Sequence, residues 1–192
     1  MASFARTKMT FQDDCYPDKP EVPAINLLGS NVPKLYNVVY DAMKNCFSVL
    51  DNEIEEEDFT WGKSGNNEKF NVRWYVHKDV DYFSFFYLRI DLKGQGSEET
   101  GKATIKIKSI MRTQFPQDTL WQRSLFYEMM RTFWHRIFYH KKRVQYLVDC
   151  RNLTSHFMKT VLKEFREMQD NLGSPAQATP IVHNASDNKN SK

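Results

Sequence analysis

The chain has 192 residues, 41% of them apolar and 14% aromatic, with a formal net charge of +3. That length holds one domain with its own core and leaves too little chain for two, and the composition excludes a disordered or fibrous protein. No apolar run reaches the ~18 residues of a membrane helix and no apolar stretch follows the N-terminus, so neither a membrane span nor a signal peptide is expected.

Residues 1–30 hold Pro17, Pro20 and Pro23 among charges, with one apolar cluster at Ile25, Leu27 and Leu28, and read as a flexible lead-in. From Pro33 to Leu50, Leu35, Tyr36, Val39, Tyr40, Met43, Cys46, Phe47 and Leu50 recur at helical steps, with Ser30 or Asn31 available as a cap. Asp51 to Asp58 is an acidic run that reads as a solvated loop, and Phe59 to Trp61 is compatible with a short strand.

Alternation then replaces the helical period. Phe70, Val72, Trp74 and Val76 alternate with Asn71, Arg73, Tyr75 and His77, Phe86, Leu88, Ile90 and Leu92 alternate with Phe83, Phe85, Tyr87 and Arg89 within Tyr82 to Lys93, and Ala103, Ile105 and Ile107 alternate with polar residues within Lys102 to Arg112. Gly94 to Gly101 is the turn between the last two strands, and short connections favour an antiparallel meander.

Thr119-Leu-Trp-Gln122 has the form of a capping box before a helix. Trp121, Leu125, Met129, Phe133 and Ile137 form one apolar row and Phe126, Met130, Trp134 and Phe138 a second, together wide enough to predict that this helix is covered on two sides. Leu153, Phe157, Val161, Leu162, Phe165 and Met168 form a further amphipathic stripe. A single rod from Thr119 to Met168 would measure about 75 Å, too long for such a domain, so a break is expected between Cys150 and Ser155. Residues 171–192 read as a disordered polar tail.

The expected fold is therefore α+β: an antiparallel sheet of three to four strands with an N-terminal helix and two C-terminal helices packed against it, in one domain over residues 31–170. Trp74, Phe86, Leu88, Ile90, Ile105 and Ile107 are the predicted core face. In Val32-Pro-Lys-Leu-Tyr36, Lys69 to His77, Lys102 to Lys108 and Trp121-Gln-Arg-Ser-Leu-Phe126 the layout resembles small uncharacterised α+β proteins common in archaea, over roughly Val32 to Met168. The resemblance implies no activity.

Catalytic and metal motifs fail on their own terms. Gly96 to Lys102 imitates a phosphate-binding loop but places Ala103 where a hydroxyl is needed and leads into a strand. No His pair has i,i+4 spacing, and no cysteine lies near a histidine. Cys15, Cys46 and Cys150 share no metal-like spacing; Cys46 and Cys150 fall on apolar faces and read as reduced core thiols in a cytoplasmic protein, which makes the sequons at Asn152 and Asn184 chance matches. No cofactor is assigned.

Two surfaces remain as candidates. On the outer face of the sheet, alternation gathers Arg73, Tyr75, Phe85, Tyr87, Arg89, Lys106 and Lys108, a pattern suited either to stacking on single-stranded nucleic acid or to coverage by a helix or second subunit. On the long helix, Arg131, His135, Arg136, His140, Lys141, Lys142 and Arg143 surround Trp134, Phe138 and Tyr139, as in helices that grip nucleic acid or an anionic membrane surface. The sequence predicts a non-catalytic interaction module for a protein partner or a second copy of itself. RNA or ribosome association and an apolar ligand held between sheet and helix are the alternatives.

Overall fold

The computed structural model describes residues 9–16, 23–172 and 177–181; the expected lead-in lies partly, and the expected tail mostly, outside them. Seven strands, β1 Thr10–Asp14, β2 Ala24–Gly29, β3 Ile54–Ser64, β4 Asn67–Asp79, β5 Ser84–Gly96, β6 Gly101–Gln114 and β7 Gln177–Ile181, form one antiparallel sheet. Its order is β3-β4-β5-β6-β2-β7, with β1 beside β6 as well. The meander β4-β5-β6 is where alternation placed it, and Gly96 pairs with Gly101 across the expected turn.

The sheet exceeds the expected three or four strands because β6 is long enough to pair twice on one edge. Its first half meets β2 and its last five residues meet β1. Both partners come from the proline-rich segment, where runs of five and six residues are too short to show a period. The acidic run corrects in the same way. After a 3₁₀ turn at Asp51–Glu53 it enters β3, an edge strand with no buried residue and therefore no apolar alternation to detect. Its charges blunt an otherwise open edge.

Helix α1 (Leu35–Phe47) buries Leu35, Val39, Ala42, Met43 and Phe47 against the inner sheet face. The expected caps are used otherwise. Asn31 precedes the leading 3₁₀ turn without a side-chain bond, and the Ser30 hydroxyl is bonded to Gln169. Ser48, in left-handed conformation, ends α1, and the Lys78 ammonium donates to the Phe47 carbonyl at 2.6 Å. All six predicted core residues are buried, and the indole N–H of Trp74 donates to Glu56 at 2.9 Å.

The break expected at Cys150–Ser155 is absent. Helix α2 (Leu125–Trp134) passes through a π turn (His135–Tyr139) into α3 (His140–Asp170), which is uninterrupted. Thr154 does not cap a new helix because its hydroxyl donates back to the Cys150 carbonyl at 2.8 Å and also meets the Ser109 hydroxyl. Thus one helical path, locally widened at the π turn, replaces the two separate helices.

Cys150 is not a reduced thiol: it forms a disulfide with Cys15, 135 residues away. Nothing in the spacing reveals a bridge between a short edge strand and a distant helix. Cys46 is free. Disulfides are rare in reducing cytosol, so the cysteines no longer support a reducing compartment. No helix among the described residues is long and apolar enough to cross a membrane.

Candidate functional site

The outer sheet face assembles as the alternation predicted, but its groups are largely engaged with one another. Arg73 donates to Asp91 at 2.7 Å and also pairs with Asp58, while Arg89 meets the other oxygen of Asp91 at 2.9 Å. Tyr75 stacks on Tyr87 at 5.2 Å, His77 stacks on Phe85 at 4.4 Å, and Arg112 lies over the Phe85 ring. Lys106 and Lys108 are exposed. Among the described residues no helix packs on this face: α1 and the C-terminal half of α3 bury their apolar residues in the core on the opposite side.

The second predicted cluster divides. Arg131, His135 and Arg143 are buried instead of presented, with Arg143 paired to Asp13, and Lys142 reaches Asp81 at 3.3 Å. Arg136, His140 and Lys141 point to solvent. The two predicted surfaces are separate places, one on the sheet and one along the helix.

What the residues predicted least well is the orientation of α2. Both apolar rows, expected to be covered on two sides, face outward: Trp121 is 60% exposed, Met129 66%, Phe133 57% and Phe138 62%, with Leu125, Phe126, Met130, Trp134 and Ile137 also open. The stripe turned inward is Arg131, His135, Tyr139 and Arg143. On a regular α-helix three successive four-residue steps drift by about 120° around the axis. The wider π turn absorbs that drift and keeps all four residues against the end of the sheet.

Aromatic rings receive this polar stripe. His135 stacks on Phe11 at 4.2 Å, Arg143 lies over the same ring at 4.8 Å, and Arg131 lies 6.0 Å from Phe115 and 5.9 Å from Tyr127. Among the described residues the Arg131 guanidinium has only Glu128 as an ionic partner, at 3.7 Å, and its nitrogens make no hydrogen bond. Burying a cation with so few partners is costly, which makes the inward placement notable beside an apolar face left in water.

Asp81, in the β4–β5 turn, anchors the stretch. It accepts hydrogen bonds from the hydroxyls of Tyr139 and Tyr146, each at 3.0 Å, and from the amides of Phe83 and Ser84. Burial alone would raise its pKa, but these donors hold the carboxylate below its ordinary value. Burial lowers the pKa of His135, with help from the charges of Arg143 and His140. Away from this region, burial and the hydrogen bond to Glu56 push Tyr36 up to about 12.

No group of His, Cys, Asp and Glu among the described residues is placed to hold a metal ion. Between sheet and helices the space is filled by Trp74, Phe47, Phe157 and Phe165. Clefts of about 580 and 380 Å³ lie instead along the β-hairpin ends, lined by residues such as Asn67, Gln95 and Lys102. No protein-family model matches the chain, and no curated protein matches it in sequence.

Proposed function

We propose that this chain is a non-catalytic binding module that docks through the outward apolar face of α2 and its π turn. The observation that carries this reading is the inverted helix: cationic and hydroxyl side chains inside, ten large apolar side chains from Leu120 to Phe138 outside. Contiguous apolar surface on that scale, next to a face held in place by a disulfide and a carboxylate anchor, is the signature of an interaction site.

The RNA reading through the outer sheet face is weaker, because Asp58 and Asp91 neutralise Arg73 and Arg89 and the rings of Tyr75, Tyr87 and Phe85 are already stacked, although Lys69, Lys93, Lys102, Lys106 and Lys108 stay exposed there. The apolar-carrier reading is weaker because ring side chains occupy the space it needs.

An environment-sensitive apolar dye tests the proposal. Wild-type protein should bind the dye and lose most of that binding in Met129→Gln/Phe133→Gln, while Lys106→Gln/Lys108→Gln binds as wild type does. Wild-type protein that binds no dye and sediments as a 22.8 kDa monomer at every concentration would overturn the reading.

A further inference from the structure

Resting on the docking reading above, we infer that the occupant of the α2 face is an anionic lipid surface, on which the helix lies flat. Three observations select this partner. Between Leu120 and Arg151 seven Lys and Arg stand against Glu128 and Asp149; Arg131 pairs with Glu128, and Lys142 and Arg143 are taken up by Asp81 and Asp13. Arg123, Arg136 and Lys141 are exposed, and Arg136 and Lys141 carry no ion pair among the described residues. The surface around the apolar face is therefore positive and seeks a negative counterpart.

A second copy docked face to face would set these cations against their own kind, which opposes self-association. Nucleic acid supplies negative charge, but its phosphates and bases offer nothing to Leu125, Met129, Met130 and Ile137. A lipid interface supplies both, with anionic headgroups for the cations and acyl chains for the aliphatics.

The aromatic distribution agrees. Trp121 and Trp134 stand near the two ends of the apolar face, and Tyr82, 82% exposed, sits against Phe83, which touches Trp134. Tryptophan and tyrosine favour the headgroup level. The stretch Leu125–Phe138 is about 21 Å long, short of the ~30 Å hydrocarbon core, so it lies in the interface rather than crossing it. Val144 and Val148, each 48% exposed, lie about two and about three turns beyond Phe138 on the same helix.

The experiment is flotation of the full chain with phosphatidylcholine vesicles, with and without about a third phosphatidylserine, read alongside tryptophan emission and sedimentation velocity. Wild-type protein should bind the anionic vesicles with a blue shift, bind the neutral ones at least tenfold less, and detach in about 1 M salt, where screening is nearly complete. Arg123→Gln/Arg136→Gln/Lys141→Gln should weaken binding about a hundredfold, at about fivefold per cation. Met129→Glu/Phe133→Glu should abolish it with an unchanged circular dichroism spectrum.

Vesicle binding that ignores lipid charge and the three cations overturns the inference, and so does preferential capture by homopolymeric RNA. Failure to bind any vesicle while the chain forms dimers that Met129→Glu/Phe133→Glu dissolves overturns the lipid partner but leaves the docking face standing. Failure of both vesicle binding and dye binding removes the docking face itself.

Discussion

The two halves of the C-terminal helical path obey opposite rules. From Cys150 to Gln169 the inward stripe is Cys150, Thr154, Phe157, Val161, Phe165 and Gln169, while Asn152, His156, Lys159, Lys163, Arg166 and Glu167 face solvent. From Leu125 to Arg143 the inward stripe is Arg131, His135, Tyr139 and Arg143, and the outward one is apolar. The first half is held by the hydrophobic effect. The second is held by specific polar bonds and ring contacts, because its apolar side is not the one facing the sheet. The same continuous backbone thus serves as core in one half and as presented surface in the other.

Truncation should separate the halves most strongly. Phe157→Ala, which removes a ring stacked on Phe47 at 5.1 Å in the core, should cost roughly 3–5 kcal/mol in urea unfolding. Phe133→Ala, on the open side, should stay within about 0.5 kcal/mol. Equal losses at the two sites would mean that the outward face is packed against something.

Removing the Cys15–Cys150 bridge at the junction of the halves should come next. Cys15→Ala/Cys150→Ala should lower stability by about 2–5 kcal/mol, since the bridge closes a loop spanning 135 residues. A smaller effect follows at the anchor. Asp81→Asn leaves the hydroxyls of Tyr139 and Tyr146 with a weaker acceptor and should cost about 1–3 kcal/mol, with faster amide exchange confined to Leu125–Tyr146. Uniform exchange along the whole path would erase the distinction between the halves.

The smallest expected effect is a pH dependence. His135 has a folded-state pKa below its ordinary 6.5, so the unfolded chain takes up the proton first as pH falls through that value. Stability from this group is complete above about 6.5 and declines below it. Asp81, whose pKa is lowered, adds its own loss only as pH falls below 3.8 towards its folded value. Between about pH 7 and about pH 5 the urea midpoint of wild type should therefore drop, and that of His135→Asn should stay flatter.

The sequence made the meander legible because β4, β5 and β6 each bury one face, so every second residue had to be apolar. It made α1 legible for the corresponding helical reason. It hid β1 and β2 in short segments, and β3 in a strand that buries nothing. The helical break was misplaced because Asn152, Thr154 and Ser155 have the chemistry of caps, while packing against Ser109 and Tyr16 gives Thr154 and Ser155 other partners. The candidate site was half legible. Both apolar rows of α2 were visible in the residue spacing, but periodicity reports that a face is apolar and not which way it points. That depended on Asp81, Asp13 and Phe11, all distant in the chain.

The Cys15–Cys150 bridge also has a mechanical consequence. A pull on the α2 face reaches the sheet through Tyr139 and Tyr146 onto the β4–β5 turn, and through Arg143 onto β1. Polar bonds of that kind yield one at a time. At residue 150 the pull meets a covalent tie, with Arg151 donating to the Cys15 carbonyl beside it. Tension that strips the presented half from the sheet therefore stops there, and the core behind it, closed at its far end by Gln169 on Ser30, is spared. The bridge acts as a rip-stop, limiting how far unravelling that starts at the α2 end can travel towards the other.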